Sequence, residues 1–245
     1  MRLHFYGTRG YVPESSREHA GHSSFVLEAE GFRLLCDFGE NRKGMLEKIR
    51  PDAIFVSHAH PDHAWGLWEG TSLPVHASAA THRLLAELPL LNRVTLAPDE
   101  SAAIGPFRLT PHPVIHSIRC PGIAARIEIG GFALVYSGDI VAFEDPDAAL
   151  RGADFYIGDG STLTGKLVRR HESGVLLGHT TVRAQLGWLA RHGIMRAAFS
   201  HFGKEAIAMG DDALKAELEG LAAANPPGCA VTAAYDGLEM EVGPY

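Results

Sequence analysis

The chain has 245 residues, 46% of them hydrophobic, and a formal net charge of −7. It can bury a substantial core, and its acidic balance argues against a surface built throughout for polyanions, though not against a local basic patch. Three cysteines without CxxC spacing, no apolar run at the start and no apolar stretch near the ~18 residues of a membrane span lead to the expectation of a reduced, cytoplasmic protein without a membrane segment.

Residues 3–6 alternate and predict a first strand, and Gly7-Thr8-Arg9-Gly10 opens a loop that runs to about Gly21. Residues 23–28 and 32–36 read as a hairpin turned at Glu30-Gly31. A short helix is expected over 44–50, stopped by Pro51. The apolar run 53–56 predicts a buried strand that delivers Ser57-His58 at its end, and a helix is expected after Asp62. Then follow a strand (73–77), a helix (79–87) and a stretch of strands and turns from Arg93 to Val135. That stretch contains a hairpin of 123–129 with 132–136 at Gly130-Gly131. The last part predicts strands at 154–157 and 197–200, helices at 182–192 and 211–224 (the second ended by Asn225-Pro226-Pro227-Gly228), and strands at 230–234 and near Glu239. No linker or repeat interrupts the pattern, which suits one layered α/β domain spanning 1–245.

Fourteen histidines are the unusual feature of the composition. His58-Ala59-His60-Pro61-Asp62-His63 places three of them and an aspartate directly after an apolar strand. Imidazole nitrogen and carboxylate oxygen are good ligands for zinc and similar divalent ions, and a tight loop at a strand end can turn such groups toward one point. A lone histidine there would read as a satisfied turn residue; four ligand-type residues together do not.

The segment resembles the HxHxDH signature of the metallo-β-lactamase superfamily, and further landmarks follow in order: Leu35-Cys36-Asp37-Phe38-Gly39, His116 after a strand-like run, Tyr136-Ser137-Gly138-Asp139, and Ser200-His201-Phe202. The resemblance implies an α/β fold, a four-layer αββα sandwich of the metallo-β-lactamase type. It implies two divalent ions, zinc first and manganese second. His58, His60 and His116 would hold one, Asp62, His63 and His201 the other, and Asp139 would bridge them. Asp37 would orient a ligand histidine. His112 competes with His116 for the third histidine; His116 is preferred, because the glycine and hairpin after it sit at the family's usual distance, and His112, between two prolines, reads as surface loop. His22 is kept as a candidate pocket residue. Flavodiiron-type relatives carry glutamate where His60 stands, so hydrolysis is favoured over iron redox chemistry.

Such a centre provides a hydroxide nucleophile shared by two metals at neutral pH, and the leaving group then needs an acid. Asp62 and His179 are the candidate catalytic residues. Gly178-His179-Thr180-Thr181 resembles the His-(Ser/Thr)-Thr-Val stretch of the phosphodiesterase branch, which includes ribonuclease Z and a cyclic phosphodiesterase, although ribonuclease Z often has an acidic residue where Gly178 stands. Asp159 reads as a turn residue or as a group that positions others. Ser161, Thr162 and Thr164 are candidates for the pocket wall, and Lys166, Arg169 and Arg170 form a cationic loop suited to an anion. The expected function is a phosphodiesterase on small, anionic phosphodiesters or nucleotides. Transfer-RNA 3′ processing is less favoured, for want of a Gly- and Lys-rich arm between Asp139 and His179. Ester or lactone hydrolysis uses the same centre, and a metal-binding protein without turnover comes last. Homodimers are common in this branch.

Overall fold

The computed structural model describes residues 1–225 and 228–243. The strands are β1 (Arg2–Gly7), β2 (Ser24–Ala29), β3 (Phe32–Cys36), β4 (Ala53–Val56), β5 (Thr71–Ser78), β6 (Leu90–Leu96), β7 (Ala102–Ile104), β8 (Phe107–Ile115), β9 (Gly122–Ile129), β10 (Phe132–Tyr136), β11 (Ala142–Phe143), β12 (Phe155–Asp159), β13 (Arg169–Arg170), β14 (Leu176–Leu177), β15 (Arg196–Ser200), β16 (Ala230–Ala233) and β17 (Glu239–Glu241). The helices are α1 (Leu46–Ile49), α2 (Pro61–Ala64), α3 (Ala79–Leu84), α4 (Pro146–Leu150), α5 (Val182–His192), α6 (Lys204–Met209) and α7 (Asp211–Ala223). One sheet runs β17-β1-β2-β3-β4-β5-β6, the other β11-β8-β9-β10-β12-β15-β16 with β7 beside β8, and β13 and β14 form a separate ribbon.

The period of two in the strands builds the layers. Ala53 and Phe55 of β4 join Phe5, Leu27 and Leu34 in a core shared with Leu109, Ile127, Phe155 and Ile157 of the other sheet. Ile54 and Val56 face the opposite way, onto a cluster with Ile49 of α1, Ala64 of α2 and Leu85. The second sheet repeats the arrangement: Tyr156 and Phe199 turn outward onto Val182, Leu186 and Leu189 of α5 and Leu214 and Leu218 of α7. The result is the expected αββα sandwich. Strands buried on both faces, such as β4 and β12, are continuous apolar runs for this reason.

Several boundaries differ from the sequence reading. The helix expected over 44–50 is one turn, because Arg50 adopts a left-handed φ of 50°. The helix after Asp62 begins at Pro61, where a missing N–H costs nothing, so Asp62 and His63 lie within it. The helix from Ala79 ends at Leu84, and α4 and α6 were not foreseen. Pro226 and Pro227, expected to end α7, lie outside the described residues. His112 is not in a surface loop: it is buried inside β8, and its Nδ1 lies 2.8 Å from Asp99 Oδ1. The strand continues through Pro111 and Pro113 because their carbonyls accept from Asp99 and Glu144 on the side away from β9, where the absent N–H groups break no pairing with β9.

Candidate metal centre

The singled-out residues meet at one edge of the sandwich, each delivered by the end of an apolar strand. Asp37 follows β3, His58 follows β4, and α2 carries Asp62 and His63. From the second sheet, His116 follows β8, Asp139 follows β10, Asp159 ends β12 and His201 follows β15. Asp37 and His201 hold φ values of 56° and 59°, in the left-handed region rare for residues other than glycine. Such strain persists where surrounding contacts over-determine it.

Two donor sets form around Asp139. In the first, His58 Nε2 and His116 Nε2 lie 2.9 and 3.2 Å from His60 Nδ1, and each lies 3.5 Å from Asp139 Oδ2. In the second, His63 Nε2 is 3.7 Å from Asp62 Oδ2 and 3.0 Å from Asp139 Oδ1, while His201 Nε2 is 2.9 and 3.4 Å from the same two oxygens. A tetrahedral ion with ligands at about 2.0–2.1 Å puts neighbouring donors about 3.3–3.4 Å apart, so both sets have suitable edges for such an ion. His63 Nε2 and Asp139 Oδ1 are buried and 3.0 Å apart but not aligned for a hydrogen bond, and neither bonds to another group among the described residues. Unlike the other unpaired buried atoms, these two converge with further imidazole and carboxylate donors at ligand spacing, so the residues fit a pair of divalent ions.

The outer ring nitrogens are fixed by neighbours. His116 Nδ1 donates to Gly178 O at 2.9 Å, and His63 Nδ1 donates to Asp37 Oδ2 at 2.7 Å. Ser57 Oγ donates to Asp37 Oδ2 at 2.7 Å and therefore accepts from His58 Nδ1 at 3.0 Å. These bonds leave the Nε2 lone pairs of His58 and His116 facing inward, as ligation requires. Asp37 also accepts from Ser57 N and Tyr136 Oη, so its carboxylate is fully engaged and buried.

Electrostatics divide the histidines. Burial pushes His58 down to about 3 and His60 down to about 4, and it also lowers His116, so these imidazoles are neutral donors. Burial works against a proton on His63 and His201 too, but the surrounding carboxylates outweigh it. Asp139, Asp62 and Asp37 hold His63 well above its ordinary value; Asp139, Asp159 and Asp62 lift His201 to about 10. A cation there would meet the same concentration of negative charge.

Asp159 is no turn residue. It is buried at the end of β12, its Oδ2 accepts from His179 Nδ1 at 2.8 Å, and its Oδ1 lies 3.3 Å from His201 Nδ1. Burial opposes a proton on His179, but Asp159 and Asp139 more than offset it and raise the group. Thr181 caps α5 by accepting from Ala184 N, so capping and the placement of His179 come from one short segment.

A cavity of about 660 Å³ opens over this cluster. His179, Ser161, Thr162 and Lys166 line it; Thr164, Arg169 and Arg170 do not. Arg169 and Arg170 instead pair with Leu177 and Leu176 in the exposed ribbon. His22 is buried behind Tyr11, with ring centroids 5.8 Å apart, and is not part of the lining. Tyr11 and Lys204 line the cavity without having been singled out in the sequence, and Ser57, Tyr136 and Gln185 support the site unforeseen. Gln185 did leave a signal: it falls on the apolar face of α5 set by Val182, Leu186 and Leu189, where a polar side chain needs a buried partner.

The chain belongs to the β-lactamase superfamily: the family's "Beta-lactamase superfamily domain" matches residues 33–202, well over half of the chain. It is a metallo-hydrolase of that superfamily. It is similar to the probable metallo-hydrolase YhfI of Bacillus subtilis, with 24% identity over 196 residues covering 68% of this chain and 78% of the relative. The crystal structure of that metallo-β-lactamase fold protein superposes with a TM-score of 0.73 at 19% identity over 98% of each chain. A ribonuclease Z of Halorubrum lacusprofundi is 39% identical over 71 residues, 27% of this chain and only 22% of the relative. A diphosphatase of the PhnP family shares the fold, with a TM-score of 0.72 at 19% identity, covering 99% of this chain and 98% of that one.

Proposed function

We propose that the chain is a phosphodiesterase for small phosphodiesters or nucleotides. His58, His60, His116 and Asp139 would hold one zinc or manganese ion; Asp62, His63, His201 and Asp139 would hold the other. On this reading residues 1–245 are one hydrolase domain, because both sheets supply residues to the centre. Ions held there supply Lewis acidity and lower the pKa of water toward about 7.

The observation that carries the phosphodiester reading is His179 in the wall of the same cavity, beside Asp139 and paired with the buried Asp159. Expelling an alcohol from a phosphodiester leaves an alkoxide that needs a proton, and a positioned acid contributes about 10²–10⁴-fold. Asp159 holds Nδ1 of His179, and Nε2 makes no hydrogen bond among the described residues. Protonated His179 therefore has a proton to give from Nε2 to the departing oxygen, and Asp159 stabilises the charged ring beforehand. Lys166 offers the substrate's negative charge a counterpart at the cavity wall. The named relatives support chemistry at phosphorus, and the short ribbon between Asp139 and His179 supports small substrates over a gripped transfer RNA.

The test is a substrate panel with zinc- or manganese-loaded protein. Bis-p-nitrophenyl phosphate and a dinucleotide should be hydrolysed. His179→Ala should slow dinucleotide cleavage by about 10²–10⁴-fold with metal content unchanged. Strong ester or lactone turnover without phosphodiester cleavage would overturn the proposal.

A further inference from the structure

Gln185 lies in α5 with no solvent exposure, and its amide is spent on the chain around one residue. Its Nε2 donates to Asp159 O at 2.7 Å, while its Oε1 accepts from Asp159 N at 3.1 Å and from Tyr156 Oη at 3.0 Å. The sheet explains why a side chain is needed there. β10 and β12 pair in register through Leu134–Phe155, Val135–Tyr156 and Tyr136–Ile157, and Ser137 N still reaches Ile157 O. Gly138 then takes a positive φ of 57° and the chain swings away, which carries Asp139 into the metal centre. The next residue of β12 on that side is Asp159. Its N–H and C=O face an edge with no strand, and the Gln185 amide pairs with both as a neighbouring strand would. Gly158 leaves the space: a Cβ there would come within 2.7 Å of Gln185 Oε1.

We infer that Gln185 is a positioning residue for proton donation: by standing in for the departing strand, it fixes the end of β12 so that Asp159 holds His179 toward the leaving group. The inference rests on the phosphodiesterase reading and adds a residue that touches neither metal nor substrate. A role in stability accompanies it, because two buried backbone groups depend on the amide. The two roles separate by leaving group. Nitrophenolate leaves as a stable anion and needs no proton, whereas a nucleoside alkoxide does. A loosened fold slows both reactions alike; a misplaced acid slows only the second.

The experiment compares kcat on a dinucleotide and on bis-p-nitrophenyl phosphate for zinc-loaded wild type, Gln185→Met, His179→Ala and the double variant, with metal content measured for each. Gln185→Met keeps the length of the side chain and removes the amide. It is expected to lower kcat on the dinucleotide by about 10-fold or more and on the nitrophenyl ester by less than about 2-fold, and to add nothing in the His179→Ala background. Gln185→Asn, whose amide is one methylene short, carries the same comparison if the Met variant does not fold. Equal losses on both substrates, or full additivity with His179→Ala, would overturn the inference. If His179→Ala itself shows no leaving-group dependence, the acid role of His179 fails, and the inference falls with it. If His179→Ala is selective and the Gln185 variants are not, only the inference falls.

Discussion

His112 and His116 stand four residues apart in one run, and their neighbours decide which of them faces the centre. His116 Nδ1 is held by Gly178 O and its Nε2 points at His60, whereas His112 is tied to Asp99 away from the cluster. His116→Ala is therefore expected to reduce bound zinc to about one per chain by elemental analysis, while His112→Ala keeps the metal and loses about 1–3 kcal/mol in urea denaturation. Asp37 makes a second test. Its Oδ2 accepts from Ser57, His63 and Tyr136, so an amide at Asp37→Asn would meet donors with a donor. Zinc affinity should fall about 10–100-fold by competition with a chelator. The ligand-type residues were legible because they crowd into one segment and recur at strand ends. Asp159 was not, because an aspartate followed by glycine looks like a turn; its role depends on the departure of β10, a fact about two strands that no local pattern contains.

Gly178 shows how an element sets the site from its backbone. Its φ is 107°, and a Cβ would lie 2.1 Å from Leu167 O, at the base of the ribbon. Gly178 N also donates to His116 O, so glycine and histidine are joined by two hydrogen bonds. A side chain has no room here, and the carboxylate that pairs with His179 comes from β12. Gly178→Asp is expected to push the ribbon off, unseat His116 and lower activity by more than about 10-fold, with metal lost from one site. Long elements such as α5 are legible in the sequence from their apolar period, and the structure caps this one with Thr181 at its start and a left-handed Gly193 at its end. The short α4 and α6 were missed, since a single turn carries too few apolar repeats to show a period. The prolines of β8 misled in the other direction: each removes a donor on one side of the strand only, and both face away from β9, where no ladder bond is lost.

Across the whole molecule the titrating groups predict how the metal-free chain responds to pH. His22, His58 and His60 have values lowered in the fold to about 4, 3 and 4, against 6.5 outside it. The unfolded chain therefore binds more protons below 6.5, and stability falls as the pH drops from there. His63 and His201 are raised, the latter to about 10; their contribution is complete below 6.5 and is lost as the pH climbs toward 10. Urea denaturation of the chelator-treated protein should thus show greatest stability near pH 6.5, lower at about pH 5 and at about pH 9. Zinc should restore the alkaline side most, because ions take over the charge that those protons balance. A flat profile would contradict this assignment of charge.

Both donor sets draw on both sheets: His58, His60, Asp62 and His63 from one, His116, Asp139 and His201 from the other. Ions at such a seam would act as rivets. The two leaves of the sandwich meet largely through apolar side chains, which have no fixed direction of contact, whereas bonds to an ion at this edge would have fixed length and direction. A loaded chain would then have to release its ions before the leaves can part, so its lifetime against proteases would follow metal release more closely than the depth of its core.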